Sequence, residues 1–165
     1  MILLKNMTLK NLALTAISFL SVLMSVFAFA FGIIGNNLQA PITAFSWVFN
    51  GAKHHSWELS GFGTFLVTFA FGIAIGSLVF FVASLFFAKD KKSYVKMLRF
   101  ASLISFAATL ILMIGGFIVV AAYNRMMFGP FASKALLFVS KAFIPCIINA
   151  ILTAGFFGAD MLLGD

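Results

Sequence analysis

Apolar residues fall in four long runs, at 12–34, 62–88, 98–122 and 131–157, separated by shorter stretches that hold most of the charges. Each run exceeds the about 20 residues that an α-helix needs to cross a bilayer core. Apolar and polar residues do not alternate with a period of two, so helices are expected rather than a transmembrane barrel. The pattern predicts one all-α integral membrane domain over residues 1–165. It is a four-transmembrane-helix bundle with both termini cytoplasmic (N-in/C-in) and an interfacial segment in the first outer loop.

That first connection, at 35–61, contains Pro41-Ile42-Thr43-Ala44-Phe45-Ser46-Trp47-Val48-Phe49. It is too apolar for a free loop. A short helix begun by Pro41, stopped by Gly51 and lying on the outer leaflet is expected. A re-entrant segment lining a pore is the alternative. The first run follows Lys5 and Lys10 and holds Ala28-Phe29-Ala30, which resembles a small-x-small cleavage site. It outlasts the about 7–15 apolar residues of a signal peptide, so an uncleaved helix is expected.

Orientation follows from the basic residues. Lys5, Lys10, Lys89, Lys91, Lys92, Lys96 and Arg99 fall on one side, against Lys53, Arg125 and Lys134 on the other. The richer side is expected to face the cytoplasm and the anionic lipid headgroups there. Trp47, Trp57 and Tyr123 would mark the outer interface, and Tyr94 the inner one.

Small residues form stripes along these helices. In the first, Ser18, Ser21, Ser25, Ala28, Gly32 and Gly35 are spaced three, four, three, four, three. The second has Thr64, Thr68, Gly72 and Gly76, ending in a GxxxG. The third offers Ala101, Ser105 and Thr109, and the fourth Cys146, Ala150, Ala154 and Gly158. Helices in a bilayer associate through such close-packing surfaces. Either the stripes meet one another, or one of them is left for a partner. The first helix is the face expected to make that contact, so Ser25→Leu or Gly32→Leu is expected to disrupt assembly.

Composition narrows the class further. Hydrophobic residues make up 63% of the chain and charged residues 9%, against roughly a quarter in an ordinary soluble domain. A soluble globule, a disordered tail and a nucleic-acid-binding domain are excluded as expectations. The net charge of +7 is then read as orientation in the membrane. The single cysteine, Cys146, leaves no intrachain disulfide and no CxxC site.

Three places could carry chemistry. Lys141 would lie about 15 Å deep if the fourth helix starts at Phe131. A charge there costs at least about 2.5–3.5 kcal/mol and marks function. It would then pair with Asn149 along a polar path for an anion or other solute. Alternatively, 131–141 lies on the outer interface, with Lys134 and Lys141 on one face, and the span starts at Ala142 with Pro145 in its first turn. His54, His55 and Glu58 are the only cluster resembling metal ligands. Zinc needs three or four converging ligands, so a solvated loop is the expectation. Two adjacent histidines could also respond to external pH.

There is no GxSxG, HExxH, P-loop or dinucleotide fingerprint, so no catalytic residue, cofactor or resident metal is expected. The leading expectation is a non-catalytic, small structural or accessory subunit. It would pack against other membrane proteins, or against its own copies, in a bacterial inner membrane or an organellar one. A component of a channel or small-solute transporter using Lys141 and Asn149 is the alternative. A membrane enzyme with a metal at His54, His55 and Glu58 comes third.

Overall fold

The computed structural model describes residues 8–36, 39–128 and 143–162. Helix α1 covers Leu9–Phe27 and ends in a 3-10 turn at Ala28–Ala30. A β-hairpin follows, with β1 at Gly32–Asn36 and β2 at Gln39–Thr43, and then a short helix, α2, at Ala44–Phe49. Helices α3 (Ser56–Phe87), α4 (Lys91–Phe128) and α5 (Phe143–Leu162) complete the described chain. Four helices, α1, α3, α4 and α5, are long and apolar enough to cross a membrane.

The hairpin corrects the first boundary. The run at 12–34 reads as one helix, but the helix ends at Phe27 and Phe31 is already extended. In Gly32-Ile33-Ile34-Gly35, two β-branched residues lie between two glycines, and both residue types propagate a helix less well than Ala or Leu. The strands pair antiparallel through Gly32 with Thr43, Ile34 with Ile42 and Asn36 with Gln39, with irregular register between these pairs. Gly32 and Gly35 therefore leave the α1 stripe and belong to β1.

The short helix also starts later than expected. Pro41 lies in β2, and Thr43 caps α2 by accepting the Ser46 N–H at 3.0 Å. Ala44 and Trp47 are fully buried against the bundle, while Phe45 and Phe49 face outward. The Trp47 indole N–H donates to Thr64 Oγ1 at 3.0 Å, and Thr64 donates to the Ser56 carbonyl at 2.9 Å. Trp47, expected at an interface, is thus an internal anchor that docks α2 onto α3. Tyr94, expected at the opposite interface, is buried too, with its hydroxyl 2.9 Å from Thr15 Oγ1.

Contacts along the helices fix their directions. Leu66 and Val67 of α3 meet Gly115 of α4, and Gly63 meets Val119, so α3 and α4 run antiparallel. Ser18 meets Leu98 and Ser21 meets Ser105, so α1 and α4 run parallel. Ser21 meets Asn149 and Lys10 meets Asp160, so α5 opposes α1. One end of the bundle therefore gathers the N-termini of α1 and α4 with the C-termini of α3 and α5. At the α4 N-terminus, Asp90 Oδ1 accepts the Ser93 N–H at 2.6 Å, and these hydrogen bonds hold its carboxyl below the usual carboxylate range.

Two glycines set the α3–α4 approach. A methyl group at Gly115 would come within 2.9 Å of Leu66 Cβ and 3.1 Å of the Val67 nitrogen. One at Gly63 would reach 2.9 Å from Val119 Cγ2. Around these contacts the buried side chains form two apolar clusters. One, near the hairpin, includes Phe29, Trp47, Val67 and Leu112; the other includes Leu14, Phe81, Leu98 and Phe156.

Candidate functional site

A polar belt lies inside the bundle. Ser18, Ser21 and Ser25 of α1, Ser102, Ser105 and Thr109 of α4, and Asn149 and Thr153 of α5 are all buried. The three-and-four spacing along α1 puts its serines on the stripe that faces α4 and α5. Ser18 donates to the Leu98 carbonyl at 3.2 Å and accepts from Ser102 at 3.0 Å. Ser25 turns back to the Val22 carbonyl of its own helix.

Asn149 is the hub of this belt. Its Oδ1 accepts from Ser21 at 2.5 Å and from Thr153 at 3.2 Å, with a longer contact from Ser105 Oγ at 3.5 Å. Its Nδ2 donates to the Ser105 carbonyl at 3.1 Å and to Thr109 Oγ1 at 3.4 Å. An amide has two donors and room for two acceptor bonds, so all four positions are filled by three helices. Lys141, the residue paired with Asn149 in the sequence reading, lies outside the described residues.

The four remaining members of the α1 stripe therefore meet the chain's own helices: Ser18, Ser21, Ser25 and Ala28 are wholly buried. The GxxxG of α3 is placed differently. Gly72 and Gly76 lie on the exposed face, and no atom comes within 4 Å of a methyl group built at either. Thr68 shares that face, flanked by Phe65 and Phe69, whose rings stack with centroids 5.7 Å apart. The face is a shallow, smooth strip between large apolar side chains.

The loop cluster does not converge. His55 Nδ1 lies 3.0 Å from Glu58 Oε2, and both side chains are exposed. His54 turns the other way. Its Nε2 lies 3.0 Å from Ser46 Oγ, and its ring stacks on Trp47 with centroids 6.0 Å apart. Burial and the neighbouring Lys53 charge lower its pKa below the ordinary histidine value. Among the described residues no group of three or more His, Cys, Asp or Glu could hold a metal ion. His55 adopts a left-handed backbone (φ 50°) as it turns the chain into α3, which fixes the two imidazoles on different partners.

Sequence reasoning missed Asp160. This carboxylate on the last turns of α5 is 11% exposed and pairs with Arg99 of α4 at 2.5 Å and Lys10 of α1 at 3.8 Å. It ties together three helix ends. Only the excess of basic residues in those sequence stretches hinted at it, because pairing across 61 residues leaves no local pattern. Compared with known proteins, the chain matches no family model, no curated protein and no solved structure.

Proposed function

We propose that this chain is a non-catalytic, multi-pass integral membrane protein, a structural or accessory subunit that packs against another membrane protein through the outer face of α3. The observation that carries this reading is the open strip at Gly72 and Gly76. Lipid tails are as apolar as Leu, so helices in a bilayer gain contact by bringing backbones close, and exposed glycines four apart permit that approach. The α1 stripe supports the same reading by exclusion, because its serines are already committed to α4 and α5. The saturated Asn149 amide supports a packing role for the polar belt rather than a solute path through it.

In this reading the end with Lys10, Lys91, Lys92, Lys96 and Arg99 is cytoplasmic, and the end with Lys53 and Arg125 is external. The membrane in this reading is a bacterial inner membrane, with an organellar one as the alternative. The occupant of the strip is a transmembrane helix of another protein, or α3 of a second copy.

The test is gentle extraction from the native membrane, affinity purification on a terminal tag and mass measurement of the intact particle. Stoichiometric membrane-protein company is expected for the wild type. Gly72→Leu with Gly76→Leu is expected to lose it while keeping the native helical content. A wild type that is a lone monomer, or a double variant that keeps its full company, overturns the proposal.

A further inference from the structure

The end of the bundle that gathers the N-termini of α1 and α4 with the C-terminus of α5 holds an open cavity of about 730 Å³. Five cationic side chains line it, Lys10 from α1 and Lys91, Lys92, Lys96 and Arg99 from α4. The α4 cations stand one, five and eight residues after Lys91, so they share one helix face. Asp160 is the single carboxylate of the lining among the described residues, and it is spent on Lys10 and Arg99. It leaves the charges of Lys91, Lys92 and Lys96 unmatched within the cavity wall.

Those charges sit at an unfavourable place unless an anion joins them. Lys91 and Lys92 occupy the first turn of α4, where the helix carries its own partial positive charge. Lys10 does the same in α1. Asp90 answers part of this as the α4 cap and also meets the Lys92 charge, but its oxygen accepts the Ser93 N–H and it does not line the cavity, so Lys91 and Lys96 keep the larger share of unmatched charge. A phosphate group is the anion that fits several ammonium groups, a guanidinium and two helix N-termini at once.

The surrounding helix ends suggest the rest of the ligand. Leu9 and Leu12 of α1 and Met161 and Leu162 of α5 adjoin the lining residues Lys10, Asn11 and Asp160 in sequence, and all four are more than half exposed. Val95 lies in the wall itself. A free phosphate compound would find no use for exposed apolar residues at these helix ends, whereas a lipid has acyl chains to lay against them. We propose that this pocket binds the phosphate headgroup of an anionic glycerophospholipid, with Lys91, Lys92 and Lys96 as the principal contacts and Asp160 holding Lys10 and Arg99 in place. The inference rests on the membrane insertion in the proposed function, and not on the partner at α3. It deepens the general attraction of basic segments to anionic leaflets into one bound lipid at one place.

The experiment is native mass spectrometry of the purified full chain in detergent, titrated separately with dioleoyl phosphatidylglycerol, dioleoyl phosphatidylcholine and inorganic phosphate. One phosphatidylglycerol per chain is expected, held at least about tenfold more tightly than phosphatidylcholine. Lys92→Gln with Lys96→Gln is expected to weaken it about thirtyfold, in line with the pull of two surface cations on an anionic lipid. Lys53→Gln with Arg125→Gln, which removes equal charge from the opposite end, is expected to bind like the wild type. Equal retention of both lipids, equal weakening by the two double variants, or no weakening by the first overturns the pocket. Inorganic phosphate that binds and displaces phosphatidylglycerol at equal millimolar concentrations overturns the lipid assignment in favour of a small-anion site. Gly72→Leu with Gly76→Leu is expected to keep the lipid, so failure of the pocket and failure of the α3 contact are read in separate measurements.

Discussion

At the scale of single residues, Asn149 decides the most. Replacing it by Leu removes five hydrogen bonds and takes from the Ser105 carbonyl and Thr109 Oγ1 of α4 their amide partner. The cost is set by those unmet buried groups rather than by the net worth of the bonds, which average well under 1 kcal/mol each inside membrane proteins. A loss of about 1–3 kcal/mol is expected on denaturant titration in detergent. His54 gives a pH signature. Its folded pKa is lowered, so the unfolded chain binds the extra proton first as pH falls through the ordinary value near 6.5. Its contribution to stability is complete above that value and declines below it. Thermal unfolding between pH 7.5 and 5.5 is expected to show a decline that His54→Gln reduces. The α1 serines were legible in the sequence, because their spacing alone places them on one stripe. Asn149 as their hub was not, since nothing local to 149 says which helix it faces.

Among the helices and strands, the same substitution separates two kinds of glycine. Gly115→Ala drives a methyl group to 3.1 Å from the Val67 backbone nitrogen, which no rotamer change relieves. A loss of about 1–3 kcal/mol is expected. Gly72→Ala meets nothing and gains up to about 1 kcal/mol of helix propensity. Unfolding of both variants side by side checks the opposite signs. The sequence favoured Gly72 and Gly76 because they form a recognisable motif. Gly63 and Gly115 carry the close approach without one, since an approach depends on which helices are neighbours. That the chain holds four long apolar helices was readable from hydropathy alone, though not where each begins and ends. The hairpin was hidden in the first run, because an apolar stretch such as Gly32-Ile33-Ile34 reads equally well as helix or strand until it finds a pairing partner.

Across the whole molecule, the basic residues and the helix directions agree. Every lysine and arginine of the described richer set lies near the end where α1 and α4 begin, and Lys53 and Arg125 lie toward the other end of α3 and α4. A cysteine at position 92, introduced as Lys92→Cys, is expected to react with a membrane-impermeant maleimide only after permeabilisation. Lys53→Cys is expected to react in intact cells, and the buried Cys146 supplies no background. Reversed accessibility would invert the proposed orientation. Asp160 explains why that end is legible only in part. Counting charges finds an excess of cations, but the carboxylate that organises them arrives from the far end of the chain.

The lengths of the helices carry one more consequence. With 38 residues α4 extends about 57 Å, while α1 with its 3-10 turn covers about 34 Å over Leu9–Ala30 before the hairpin takes over. A hydrocarbon layer is about 30 Å thick. In the proposed insertion no ordinary tilt sinks α4 into such a layer, so α4 overhangs it while α1 with its 3-10 turn matches it closely. A change in membrane thickness would then bear on α1 first, and through it on the serine pairs that join α1 to α4.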